Sequence, residues 1–344
     1  MSARAEFLYL DQTEVLNADV LDMSRAFEVI ADVLRLFELG ECVQPPKVVL
    51  RNGEDPRCEE LGRFNGLFAS IKGPRPAVGM KWMGSYPANR ALGLPRGSAV
   101  IILNSPDTGL PVAIMDGTLI SAMRTGAVTG LGARFLAPRS ARKAALIGGG
   151  VQTHTQILGL LTALPDLKEI AVFSRQRHQA EALREDCRTR WAAPVVIADS
   201  VSAALADADV VLPVTTSSQP VIHTRDLKPG ALTIQLSGHE CDFEVIHQCR
   251  RIVTDNWEGL KHRGIITPAL MYAQGLLRDE DIYASLGELI LGRKPGRESE
   301  SERIHFAHMG MGVEDVALAW DVYSRACDLG LGQRLRLWDT PLWV

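Results

Sequence analysis

The sequence predicts an α/β protein built on a doubly wound parallel sheet, and three observations carry that reading. From residue 143 onward, short and almost continuously apolar runs alternate with helical segments, as parallel strands covered on both faces do. One of those runs, "KAALIGGG", leads straight into glycines and then a helix. Ahead of it, residues 47–115 change texture to β-like runs separated by Gly and Pro. Two textures suit a chain of 344 residues, which exceeds one comfortable hydrophobic core.

Taken in order, "FLYL" (7–10) reads as an opening strand. Residues 22–40 place apolar side chains at 27, 30, 33, 34 and 37, a helical stripe that stops at Gly40. "KVVLR", "RFNGLFAS", "AVGMKWMGS", "SAVIILN" and "LPVAIM" then read as strands of a meander, followed by a helix over about 117–136 that Pro138 ends. After "KAALIGGG" come the helix "QTHTQILGLLTAL", the strand "EIAVFSR" and the helix "QRHQAEALREDCRTRW". "APVVIA", "DVVLPV", "ALTIQLS" and "RIVTDN" supply further strands. "GRKPGRESESERI" (292–304) reads as a charged, mobile loop, and 312–330 as a long amphipathic helix.

Composition narrows the function. Lys and Arg number 37 against 41 Asp and Glu, a formal charge of −4 with no basic tract, so no nucleic-acid partner is expected. Six cysteines, at 42, 58, 187, 241, 249 and 327, form no Cys-x-x-Cys pair, which speaks against a metal site and for a reducing compartment. The first residues carry charges throughout, unlike a signal peptide, and no apolar run approaches a membrane span. A cytoplasmic protein acting on small molecules, with no membrane partner, is the expectation.

"LIGGGVQT" puts Gly148, Gly150 and Thr153 at the positions of a dinucleotide-binding fingerprint. "GMGVED" and "GLGARF" offer similar spacing, but neither follows an apolar strand. Gly148, Gly150, Val151, Gln152 and Thr153 are therefore the expected phosphate cradle, glycine allowing the tight turn and the helix N-terminus favouring the anion. A plain glycine turn without a ligand is the alternative. The next strand ends "VFSRQR", where an acid would hold the ribose of NAD. Ser174, Arg175 and Arg177 stand there instead and suit a 2′-phosphate, so the reading is NAD(P) with a lean to NADP. Two solvated arginines opening a helix are the bland alternative.

"MDGTLISAMRTGAV" (115–128) sets Arg124 among small residues. Its helical neighbours Ile120, Ser121, Ala127 and Val128 include no acid. Its partner comes from elsewhere in the chain or arrives with a ligand.

"CVQPPK", "GMKW", "AIMDGTLISAMRTGAV", "GGGVQT" and "MGMGVEDVALA" occur in the order seen in the ornithine cyclodeaminase/μ-crystallin family, which the chain resembles over nearly its whole length. "VQPPKVVLR", "MKWMGS", "AVIILNSPDTG" and "PGRES…MGMGVEDV" resemble one branch most. That branch is the N-(2-amino-2-carboxyethyl)-L-glutamate dehydrogenases, which make 2,3-diaminopropionate for siderophores such as staphyloferrin B and for peptide antibiotics. The resemblance implies a Rossmann domain over 121–310 inserted in a discontinuous α+β substrate and dimerisation domain, 1–120 with 311–344. It implies a homodimer and a catalytic cleft between the domains.

By the same resemblance, Arg124 matches the arginine that grips the substrate carboxylate, so its counter-ion would be the substrate. Lys81 matches the lysine beside the reacting carbon, and Lys47 stands where many members carry a carboxylate-binding arginine. Lysine is usually a surface residue, and both have that bland alternative. The catalytic aspartate of ornithine cyclodeaminases is missing: the loop reads "LSGHECDFEV", where His239 or Glu240 could move protons or merely turn the chain. The implied reaction is oxidative cleavage of N-(2-amino-2-carboxyethyl)-L-glutamate, a small amino-acid-derived substrate with several carboxylates. Hydride leaves the glutamate Cα, the ketimine hydrolyses, and 2,3-diaminopropionate and 2-oxoglutarate are released. The alternatives are a ketimine or pyrroline-2-carboxylate reductase, an ornithine or lysine cyclodeaminase, and a non-catalytic binding protein of μ-crystallin type.

Overall fold

The structure, a computed structural model, describes residues 4–51 and 62–343, so Cys58 lies outside the described residues. The chain divides into two compact units, Met1–Arg124 with Met311–Val344, and Thr125–Gly310.

The first unit opens with β1 (Ala5–Leu10), α1 (Gln12–Asn17) and α2 (Met23–Glu38). Asp11 and Glu14 exchange side-chain-to-backbone bonds at the start of α1, a capping box. The apolar stripe of α2 is buried through Phe27, Ile30, Val33 and Leu34. The helix gives way at Gly40, whose φ of 76° is easy only for glycine. Then come β2 (Cys42–Val43), β3 (Val48–Arg51), β4 (Arg63–Ile71), β5 (Ala77–Ser85), β6 (Gly97–Asn104) and β7 (Pro111–Asp116). From β3 to β7 each strand pairs antiparallel with the next, the expected meander, and β1 joins β7 in parallel. The chain continues into α3 (Thr118–Leu136).

The second unit holds β8 (Lys143–Ile147), α4 (Val151–Ala163), β9 (Glu169–Phe173), α5 (Arg177–Trp191), β10 (Val195–Ile197), α6 (Val201–Leu205), β11 (Val210–Pro213) and β12 (Leu232–Gln235). It is completed by α7 (Phe243–His247), β13 (Arg251–Thr254), α8 (Trp257–Leu260), α9 (Thr267–Ala273), β14 (Ala284–Ser285), α10 (Leu286–Ile290) and β15 (Ile304–Ala307). The sheet order is β10-β9-β8-β11-β12-β15-β13-β14 and every pair is parallel. This is the doubly wound α/β fold that the sequence predicts. Strand order reverses beside β8, where such folds bind ligands.

Two readings need correction here. The loop expected over 292–304 ends at Ile304, which opens a strand unforeseen in the sequence, Ile304–Ala307, in the interior of the sheet between β12 and β13. The preceding segment, read as mobile, is tied down. Glu302 accepts from the backbone of Glu298 and Ser299 at 2.6 and 3.0 Å, and Arg297 donates to the Leu136 carbonyl at 2.7 Å. Its charges serve as hydrogen-bond partners, which net charge alone does not reveal.

After the second unit, α11 (Gly312–Leu329) and β16 (Gln333–Trp338) return to the first, where β16 pairs antiparallel with β1. The helix packs on β4, β5 and β6. Its first residue must be glycine: a Cβ on Gly312 would sit 2.7 Å from the Phe68 carbonyl oxygen. Leu67, Lys81, Ile101 and Met115 align across four strands and are all buried. On the opposite face, Phe68, Trp82 and Val100 are exposed.

Candidate functional site

At the end of β8, Gly148 has a φ of 129°, and a Cβ there would lie 2.3 Å from the Val214 carbonyl oxygen. Only glycine makes this turn. Gly150 precedes α4 without a side-chain cap, and a Cβ on it would meet nothing within 4 Å. The loop thus presents uncapped helix N–H groups and open space, which fits a dinucleotide pyrophosphate. Val151 is exposed at the helix start, while Gln152 is half-buried. Thr153 is buried and its hydroxyl donates to the Gly148 carbonyl at 3.1 Å, bracing the turn from the third fingerprint position. Farther along α4, Gly159 lies so close to Gly126 of α3 that a Cβ would stand 2.2 Å from its carbonyl oxygen.

Ser174 follows β9 and lies beside the loop, its Oγ 3.3 Å from where a Cβ on Gly149 would stand. Arg175 is exposed. Arg177 is also exposed, but it pairs with Asp199 at 2.7 Å and Glu181 at 3.2 Å.

The first unit holds the cations. Lys81, only 1% exposed, places Nζ 2.9 Å from Ser121 Oγ and 2.6 Å from Asp315 Oδ2. Arg124 donates from Nε to Asp315 Oδ1 at 3.0 Å and from Nη1 to Glu314 Oε2 at 3.1 Å. The expectation that its counter-ion is the substrate is therefore corrected, since the chain itself supplies two carboxylates. Both are fully buried in the first turn of α11, where the helix dipole also favours them. Glu314 Oε2 accepts in addition from Met311 N at 3.0 Å. Burial pushes the Lys81 amine down to about 8, with Arg124 pushing the same way and Asp315 opposing. Lys47 lies just before β3 and is half-buried. Its segment is tied to α11 through Gln44, whose side-chain oxygen accepts from Val313 N at 3.0 Å.

His239 and Glu240 belong to the second unit, in the loop after β12. Glu240 is fully buried and its carboxylate accepts from Thr215 N and Oγ1, each at 2.7 Å, and from Ser237 Oγ at 3.1 Å. Burial raises its pKa while these donors oppose the rise. The His239 ring centre lies 5.2 Å from that of Phe243, and desolvation lowers its pKa, which favours neutral imidazole.

Sequence reasoning missed Glu314 and Asp315, whose need for partners shows only once their burial is known. Two adjacent acids interrupt "MGMGVEDVALA" where every neighbour from 311 to 316 is buried. Acids in such a setting need partners.

A glycine loop of dinucleotide-binding type at the switch point of a doubly wound parallel sheet defines the class, an α/β protein of Rossmann type. Residues 9–329 match the ornithine cyclodeaminase/mu-crystallin family, and the chain belongs to it. It is 32% identical over 337 residues to an alanine dehydrogenase of Archaeoglobus fulgidus, covering 96% of this chain and 98% of that protein. It is 29% identical over 340 residues to the N-((2S)-2-amino-2-carboxyethyl)-L-glutamate dehydrogenase of Staphylococcus aureus, covering 97% and 99%. Among solved structures, the Delta(1)-pyrroline-2-carboxylate reductase of Thermococcus litoralis, in complex with NADH and L-proline, superposes with a TM-score of 0.89 at 25% identity, over 96% of this chain and all of that one. An archaeal alanine dehydrogenase dimer with bound NAD gives 0.85 at 31%, over 97% of this chain and all of that one.

Proposed function

We propose that the chain is an NAD(P)-dependent oxidoreductase acting on the Cα–N bond of an amino-acid substrate. The buried arrangement of Lys81, Asp315 and Arg124 carries this reading. Gly148, Gly150, Val151, Gln152 and Thr153 hold the dinucleotide, which when bound supplies the hydride acceptor or donor. Arg124, its plane fixed by Glu314 and Asp315, orients the substrate carboxylate and with it the Cα–H bond. Lys81, with its amine near neutrality, exchanges a proton with the substrate nitrogen or with attacking water. Lys47 adds a further cation for carboxylates, and His239 is better suited to proton work than the triply hydrogen-bonded Glu240.

The substrate we favour is N-(2-amino-2-carboxyethyl)-L-glutamate, cleaved to 2,3-diaminopropionate and 2-oxoglutarate for siderophore or peptide-antibiotic assembly. The branch-like stretches from "VQPPKVVLR" to "MGMGVEDV" support it, as does the near full-length similarity to the staphylococcal dehydrogenase. One observation favours a second reading. Arg124 and Lys81 share two protein carboxylates, which suits a substrate with a single carboxylate, such as alanine or pyrroline-2-carboxylate. Absorbance at 340 nm separates the two when each substrate is supplied with NAD or NADP in turn. Turnover of alanine or proline without turnover of the glutamate adduct sinks the favoured substrate, and no turnover of any sinks the oxidoreductase.

NADP is the favoured dinucleotide, resting on Ser174 and the exposed Arg175 rather than on Arg177, which is already paired. Arg175→Asp with Ser174→Gly is expected to shift kcat/KM toward NAD, and a wild type that already prefers NAD by about tenfold refutes the lean. A homodimer would cover the exposed face of Phe68, Trp82 and Val100. Sedimentation of a fully active monomer would contradict it.

A further inference from the structure

We propose that Asp315 is the positioning residue of this site, holding Lys81 and Arg124 at a fixed separation with one oxygen on each. This deepens, and rests on, the reading of Lys81 and Arg124 as substrate-facing groups. The geometry is specific. Oδ1 meets Arg124 Nε at 3.0 Å and Oδ2 meets Lys81 Nζ at 2.6 Å, so one carboxylate plane sets the spacing of two cations from different elements. Asp315 is fully buried, and so is its neighbour Glu314. An unpaired carboxylate in such a place is costly, so the bridge is held tightly.

The surroundings of Lys81 make the bridge matter for proton transfer. From α3 it faces Ser121 and Arg124, from α11 Asp315 and Glu314, and beside it across the sheet stand the apolar Leu67 and Ile101. Burial and Arg124 favour the neutral amine, while Asp315 is the main group favouring the cation. Asp315 therefore keeps the amine able both to hold and to release a proton near neutral pH. Alignment and proton state depend on the same carboxylate.

Two substitutions separate charge from geometry. Asp315→Asn keeps the shape and removes the charge, so the titration near 8 in the pH profile of kcat/KM should move down by about one pH unit or more. Asp315→Glu keeps the charge but lengthens the arm, so that titration should stay in place while kcat falls about tenfold or more with little change in KM. A merely structural Asp315 would lower the melting temperature yet leave both the profile and kcat of the folded enzyme unchanged, and that result overturns the proposal. Should Asp315→Asn not fold, the kcat of Asp315→Glu decides alone. Urea unfolding as a function of pH gives a readout that needs no turnover. The alkaline stability change due to Lys81 should begin at lower pH in Asp315→Asn than in wild type. An unchanged onset refutes the coupling, even if the substrate reading has already failed for want of activity.

Discussion

Arg124 and Asp315 stand 191 residues apart in the chain and meet at 3.0 Å, both buried. The guanidinium also reaches Glu314, so truncating it leaves buried Glu314 without this cation and Asp315 with Lys81. Its loss acts on the fold, and on the substrate as well if the proposed carboxylate grip holds.

Arg124→Ala should therefore destabilise the protein by about 3–5 kcal/mol, as breaking a buried pair does. Arg124→Lys should recover part of the stability but little of kcat/KM, since an ammonium cannot reproduce a planar grip. Melts without substrate, set beside steady-state kinetics, check both. An Arg124→Ala protein with an unchanged melting temperature would show that the pairing carries no weight.

Lys81 gives an alkaline signature whose sign follows from its depressed pKa. Below about 8 folded and unfolded chains both hold the proton, and the cost of burying the cation is present in full. Between about 8 and the ordinary 10.5 the unfolded chain binds more protons, so stability from this group rises with pH. Lys81→Met should lack that rise. Urea midpoints from pH 7 to 10.5 for both proteins measure the difference.

His305 predicts the opposite end of the scale. Buried on β15 with Nδ1 2.8 Å from Thr233 Oγ1, it is pushed down to about 3 by desolvation. As pH falls from 6.5 toward 3 the unfolded chain takes up a proton that the folded chain refuses, so stability is lost across that window. His305→Gln should show a shallower acid limb than wild type, whatever its stability at pH 8. Parallel limbs for the two proteins would count against a neutral, buried imidazole.

The glycine loop separates folding from binding. Gly148→Ala meets the Val214 carbonyl and an unfavourable φ, so it should lose about 1–3 kcal/mol of stability as well as nucleotide affinity. Gly150→Ala meets no protein atom, so it should melt like wild type yet bind dinucleotide about tenfold more weakly if the open space is where the phosphates sit. Isothermal titration beside thermal melts distinguishes the two positions. Wild-type dinucleotide affinity in Gly150→Ala would place the phosphates elsewhere.

Much of the fold was legible because its signals are local. Apolar runs of β8, β9 and β11, the glycine turn, and the helical stripe of α2 each declare themselves within about ten residues. β15 escaped because four residues, one of them a histidine, make a weak strand signal until neighbours on both sides bury them. β16 escaped for the converse reason. It is an edge strand, largely exposed, whose alternation of Arg and Leu has no buried face to explain it. Lys81 and Arg124 drew notice in the sequence from motif and context, and the structure pairs both with Asp315. Their acids drew none, because ion pairing between positions 190 and more residues apart leaves no trace in spacing. Glu240 stood out in the sequence for its place in the loop where the cyclodeaminase aspartate is sought, and two of its three hydrogen bonds come from Thr215, 25 residues away, which no motif joins to it.

The placement of Glu314 and Asp315 at the head of α11 also bears on how the chain comes to be assembled. During synthesis Lys81 and Arg124 emerge early, while their counter-charges follow only after the whole segment Thr125–Gly310 has been made. Until then the sheet of the first unit has a buried lysine to accommodate and no helix to cover it. That unit is therefore completed last although it begins first, and a chain broken off before residue 314 would carry a complete second unit and a first unit that cannot neutralise its own interior.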